Sequence, residues 1–231
     1  MRIFLACLFL ALFVMLNARP IAAGADYGFG EISGGQVNEA IEKSTPIRFL
    51  PSHPLYFLIL VKENFTRFFQ PAAADRAEFD FVLSEKRLHE AYQLETVDDV
   101  KNSSKALKKY SRRIDTTIYQ FEKARSQNQD VTAVTDRIIQ DLQWEEILLV
   151  AIEKESGFRA NGHDFEANLA TAIGKFKDLV MAIENVKPGV KNRFTYIRLS
   201  DEETQEAPKE STMSSPTVEA TASFKPRKVI Y

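Results

Sequence analysis

The residues that most often hold metals are sparse in this chain. His53, His89 and His163 are its three histidines, and none lies three or four positions from another. A zinc site of the HExxH kind needs two imidazoles on one helical face, and that spacing is missing. A di-iron bundle site needs Glu-x-x-His on each of two helices, and no Glu-x-x-His occurs. Glu85 and His89 stand one helical turn apart and read as a surface pair. Nucleophiles fare no better. There is no G-x-S-x-G elbow, Ser156-Gly157 reads as a helix end, and Cys7 is the single cysteine. The paired carboxylates Asp98-Asp99 and Glu145-Glu146 are expected to be solvated on their helices. These residues nominate no catalytic group, no metal ligand and no cofactor, and the chain is not expected to be an enzyme.

One charged cluster stands out. Lys101, Lys105, Lys108, Lys109, Arg112 and Arg113 crowd a single helical segment. Such a cluster can engage an anionic membrane surface or an anionic envelope polymer. The plainer account is a solvated bundle face neutralised by Glu95, Asp98 and Asp99. Nucleic acid is not expected as a partner, since Lys and Arg total 30 against 32 for Asp and Glu. Aromatic residues interleaved for base stacking are also missing, because Tyr110 falls on the core stripe.

The elements that would carry these residues begin after a targeting segment. Arg2 precedes an apolar run from Ile3 to Leu16, then come Asn17, Arg19 and Pro20, and Ala23-Gly24-Ala25 ends in small residues. The run is shorter than the roughly 20 residues of a membrane span, so residues 1–25 read as a signal peptide cleaved near Ala25. The mature chain would start at Asp26, lack cysteine and be exported, to the outside or the cell envelope. Residues 26–50 are expected to be a flexible leader. Its GFGEISGG string lacks the preceding strand and third glycine of a dinucleotide loop.

Residues 51–190 carry helical periodicity throughout. The first helix runs from about Pro54 to Gln70, with Ser52 or His53 able to cap it. Its first half, Leu55 to Val61, is apolar on every side. Phe57 and Leu60 are expected on an exposed side, and Phe65 and Phe68 in the core. The second carries Ala77, Phe81, Leu88, Ala91 and Leu94 as its stripe, with Glu85, Lys86, Arg87 and Glu90 as a solvated face. The third opens at Thr96 and Asp99 and repeats Val100, Leu107, Ile114 and Phe121 every seven residues, a coiled-coil-like period. The fourth follows Asp130, with Val131, Val134, Ile138, Leu142, Leu149 and Ile152 inward. The fifth, capped by Asn161 and Asp164, has the cleanest stripe: Phe165, Leu169, Ala172, Phe176, Leu179, Ile183 and Val186. Short connections join them, so the class is all-α, an antiparallel bundle of about five helices. Phe194 to Leu199 is strand-like but isolated. Residues 191–231 are expected to form a disordered tail, acidic, then Ser/Thr-rich, then basic.

The stretch PSHPLYFLILVKENFTRFFQPAAADRAEFDFVLSEKRLHEA, clearest over residues 49–95, resembles a bacterial family known as domain of unknown function 5667. Pro51, Pro54, Leu55 and Tyr56 match its opening, Phe68 and Phe69 the end of its first helix, and Arg87, Leu88, Glu90 and Ala91 its second signature. His53 departs from the usual capping serine, and Ile59 and Leu60 replace a more polar stretch. The resemblance implies an exported helical module and no activity. The leading expectation is an exported helical interaction or scaffold domain with a protein partner or self-association. The alternatives are a binder of membrane surfaces or anionic envelope polymers, and an enzyme with an unrecognised site between helices.

Overall fold

A computed structural model of the chain describes residues 29–157 and 162–199. The signal segment, Asn161 and the tail from residue 200 onward lie outside the described residues; the cap expected at Asn161 falls instead on Gly162, which precedes the last α-helix without a side-chain cap.

The described residues hold six α-helices and no strand: α1 Gly34–Lys43, α2 Tyr56–Phe68, α3 Ala73–Thr96, α4 Val100–Ser126, α5 Thr132–Gly157 and α6 His163–Glu184. A single 3-10 turn, Lys191–Arg193, follows. The four long helices α3 to α6 form the antiparallel bundle. The α3–α4 pair is the most extensive, then α4–α6 and α3–α5. Two tight reversals set this order. Asp98 ends α3 with φ 64° and Asn128 ends α4 with φ 53°, residue types that tolerate the left-handed region. At each, the next amide closes onto the last helical turn, Asp99 N–H to Leu94 O at 2.8 Å and Gln129 N–H to Ala124 O at 3.0 Å. The Asp99 carboxylate then accepts from Asn102 N–H and caps α4, whereas Thr96, expected with it to open that helix, closes α3.

Packing follows the apolar periodicity of these four helices. Leu107, Ile114 and Phe121 of α4 are fully buried, as are Tyr110, Thr117 and Ala124 of the second seam. In α6, Phe165, Leu169, Ala172, Phe176, Leu179 and Ile183 are all buried, in the same core as Ile138, Leu142, Leu149 and Ile152 of α5.

The margins differ from the sequence expectation. The leader is not wholly flexible, because residues 33–43 contain a capped helix. Ser33 Oγ accepts from Gln36 N–H at 3.3 Å, and Gln36 Oε1 accepts from Ser33 N–H at 2.9 Å, a reciprocal capping box. Helix α1 lies against α5 with Ile32 and Ala40 buried. Gly30 donates its N–H to Tyr196 O at 3.0 Å. A Cβ there would sit 3.0 Å from the Tyr196 ring, so glycine permits this approach. The ordered chain also continues past residue 190. Val190, Phe194 and Ile197 are buried, and Phe194 meets Phe176 edge-on at 5.4 Å between ring centroids. Glu146 Oε1 accepts from Tyr196 N–H at 2.7 Å and Ile197 N–H at 2.8 Å. A window average misses such a segment: a few spaced apolar residues suffice when a buried carboxylate takes up the backbone donors.

Candidate functional site

Helix α2 is held by polar groups instead of apolar packing. One side of a helix repeats at intervals of three and four residues, and here that side carries Tyr56, Leu60, Glu63 and Arg67. Tyr56 and Glu63 are buried, while Leu60 and Arg67 are half-buried. All four turn toward α3 and α4. Contact between α2 and α3 is otherwise sparse.

The groups beneath α2 come mainly from α3. Tyr56 Oη donates to Glu90 Oε2 at 2.8 Å and accepts from Arg87 Nη1. Arg87 also donates to Glu90 and to Glu63, and Lys86 pairs with the other oxygen of Glu63. Arg67 grips Asp80 with both Nε and Nη2, at 2.8 and 2.9 Å. Arg113 of α4 reaches the same carboxylate at 2.9 Å. Lys109 of α4 lies 5.0 Å above the Tyr56 ring centroid, a cation–π contact. Glu63, Asp80, Arg87 and Glu90 are each at most 7% exposed, which is affordable only because each has a charged partner. Burial, then the charge of Glu90, pushes the Tyr56 hydroxyl far above the usual phenol range, so it stays protonated as a donor. Burial, then repulsion from Arg87, pulls the Lys109 ammonium down.

The opposite side of α2 faces outward. Phe57, Phe65, Phe68 and Phe69 are 57, 67, 80 and 62% exposed, joined by Leu55, Leu58 and Val61. Phe69 stacks edge-on against both Phe65 and Phe68. Along one flank, Leu55, Leu58 and Ile59 line an apolar groove of about 540 Å³ with Phe79, Val82 and Leu83 of α3, and Arg48, Lys62, Glu63 and Lys86 also line it.

Several expectations are corrected here. Phe65 and Phe68 are exposed, not core. Phe57 is exposed as expected, whereas Leu60 is half-buried. The α3 face carrying Glu85, Arg87 and Glu90 is buried, not solvated. Within the α4 cluster, Lys101, Lys105, Lys108 and Arg112 are exposed, and Lys109 and Arg113 turn toward α2. Of their expected neutralisers, Glu95 is buried and Asp99 caps the helix. The signal for the network was present in spacing. Tyr56 and Glu63 are seven apart, as are Asp80 and Arg87, so each pair shares one helix face, acid facing base.

Glu145 and Glu146 are also buried, not solvated. Glu145 Oε2 accepts from Tyr110 Oη at 2.8 Å and Oε1 from Ser84 Oγ at 3.3 Å. Burial pushes the Glu145 carboxyl well above its ordinary range, opposed by the Tyr110 hydrogen bond and aided by Glu85. His89, expected as a surface partner of Glu85, is buried and bonds through Nδ1 to Thr45 O at 3.1 Å, while Glu85 accepts from Thr45. Burial pulls His89 below the usual imidazole range. Among the described residues no group of three or more His, Cys, Asp or Glu is placed to hold a metal ion. Comparison with protein-family models, with curated proteins and with solved structures found no match to this chain.

Proposed function

We propose that the chain is an exported, non-enzymatic docking module of the helical family that its residues 49–95 resemble, with the outward face of α2 as its working surface. The observation that carries this reading is the inversion of α2: polar groups inward, four phenylalanines at least 57% exposed. A phenylalanine offers about 150–250 Å² to burial, so the exposed parts of the four give roughly 400–650 Å². Leu55, Leu58 and Val61 bring the face toward the ~800 Å² per partner of a stable interface. Monomers rarely leave so large a contiguous apolar patch uncovered. The network beneath gives the inversion a purpose. It anchors the helix without using its apolar residues, which stay available.

Export rests on Arg2, the Ile3–Leu16 run and the small residues before Asp26. The docking claim is tested by Phe57→Asp combined with Phe65→Asp. The variant should melt within a few degrees of the parent, since surface substitutions usually move stability by at most ~0.5 kcal/mol each. A drop of many degrees would mean that the face belongs to the folded core, and the docking reading would fall.

A further inference from the structure

We infer that the occupant of the α2 face is the surface of an anionic lipid membrane, on which α2 lies in the plane with its phenylalanines among the acyl chains. The inference rests on the docking reading above and adds the charge around the face. Lys101, Lys105, Lys108 and Arg112 recur at intervals of four, three and four residues, so they form one exposed stripe along α4. None of the four has a carboxylate partner among the described residues. The stripe adjoins α2, because Lys109 stacks on Tyr56 and Arg113 shares Asp80 with Arg67. On the other flank, Arg48 and Lys62 line the apolar groove. The one acid of α2, Glu63, points inward to Arg87 and Lys86. An aromatic face is thus bordered by cations on both sides.

That combination selects among occupants. A second copy would bring two cationic rims together and be repelled. An anionic polymer would satisfy the cations and leave the phenylalanines in water. An anionic bilayer satisfies both, with acyl chains for the aromatic side chains and phosphates for the rim. The groove of about 540 Å³ beside α2 is lined mainly by apolar side chains, with Arg48, Lys62 and the Lys86–Glu63 pair among them, a lining that suits a single acyl chain below an anionic headgroup. At 13 residues, α2 is about 20 Å long, suited to lying in the interface. No described helix is long and apolar enough to cross a membrane. Long lysine side chains extend their ammonium groups toward phosphates while their stems stay on apolar surface.

The experiment places a reporter on the face. Phe65→Trp in the full chain, with Trp144 present in both proteins as the background, is titrated with phosphatidylcholine vesicles with and without phosphatidylglycerol. The indole emission should shift to the blue only with phosphatidylglycerol present, and the shift should fade as salt rises. Lys105→Glu with Lys108→Glu should weaken binding at least tenfold, from about fivefold per cation removed. Binding that leaves the reporter unchanged would mean that another segment, such as the apolar Ile3–Leu16 run, holds the membrane, and would overturn the inference. Equal binding to neutral vesicles would overturn it too. If vesicles do not bind at all, sedimentation separates the remaining readings. Association of the parent chain with itself, lost in Phe57→Asp/Phe65→Asp, overturns the lipid assignment and keeps the docking reading; no association in either removes both.

Discussion

In α6, Phe165 and Phe176 are 1% and 0% exposed; in α2, Phe65 and Phe68 are 67% and 80% exposed. Both helices carry phenylalanine at helical spacing, and both have a polar side opposite. What separates them is the partner each side meets. The polar side of α6 offers Glu166, Thr171 and Asp178, which stay in water. The polar side of α2 offers Tyr56, Glu63 and Arg67, which find Glu90, Arg87 and Asp80 waiting on α3. Periodicity tells which residues share a side. It does not tell which side goes inward when the polar side has a charged complement to bury against.

The largest effect should come from removing that complement. Arg87 is 2% exposed and bonds Tyr56, Glu63 and Glu90. Arg87→Ala leaves two buried carboxylates short of their cation, a loss of about 3–5 kcal/mol by chemical denaturation. The damage should centre on α2, so hydrogen exchange over residues 56–68 should accelerate before the α6 amides do. Uniform acceleration across α2 and α6 would mean that α2 is an integral part of the bundle and not a helix pinned onto it.

How far the sequence disclosed all this depends on the same distinction. The seams of α4 and α6 were legible because most core positions were apolar, Thr117 being a buried exception in α4, so periodicity and burial largely coincided. The start of α4 was legible only in part, since Asp99 caps it directly and Thr96 belongs to the last turn of α3. The buried face of α3 was not, since Glu85, Arg87 and Glu90 look solvated unless Thr45, Tyr56 and Glu63 are known to lie opposite. Of the candidate surface, Phe57 and the exposed cations were named from sequence. Phe65 and Phe68 were assigned inward by extending a stripe whose direction was unknown.

A moderate effect should mark a second contrast, between the carboxylates beneath α2 and the one inside the bundle. Glu63 and Glu90 are matched by a guanidinium, whereas Glu145 has the hydroxyls of Tyr110 and Ser84. Burial raises Glu145, and it also raises the neighbouring Glu85 and Asp141. The folded state therefore keeps the Glu145 proton at pH values where the unfolded chain has released it. Its contribution to stability is full in acid, below the ordinary carboxyl range, and is lost as pH rises toward the raised folded value. Glu145→Gln removes that titration and nearly preserves the shape. Its stability relative to the parent should improve with rising pH, by at most about 1.4 kcal/mol per pH unit. Parallel stability profiles for the two proteins would show that Glu145 titrates normally.

The smallest effect is the most telling. Truncating a buried phenylalanine to alanine costs about 3–5 kcal/mol, because transfer energy is lost and a cavity remains. Phe176, fully buried against Phe194, sets that benchmark. Phe65 is two-thirds exposed, and its ring contact among the described residues is Phe69, itself 62% exposed. Phe65→Ala opens no cavity and returns little apolar area to water, so the loss should stay near ~0.5 kcal/mol or below. Alanine is also the better helix former, which offsets part of even that. A loss matching the Phe176→Ala benchmark would place Phe65 in a core, and α2 would then resemble α6 after all. A near-zero loss leaves the phenylalanine without a role in holding the fold, which is the expected energetic signature of a residue kept for what it touches outside the bundle.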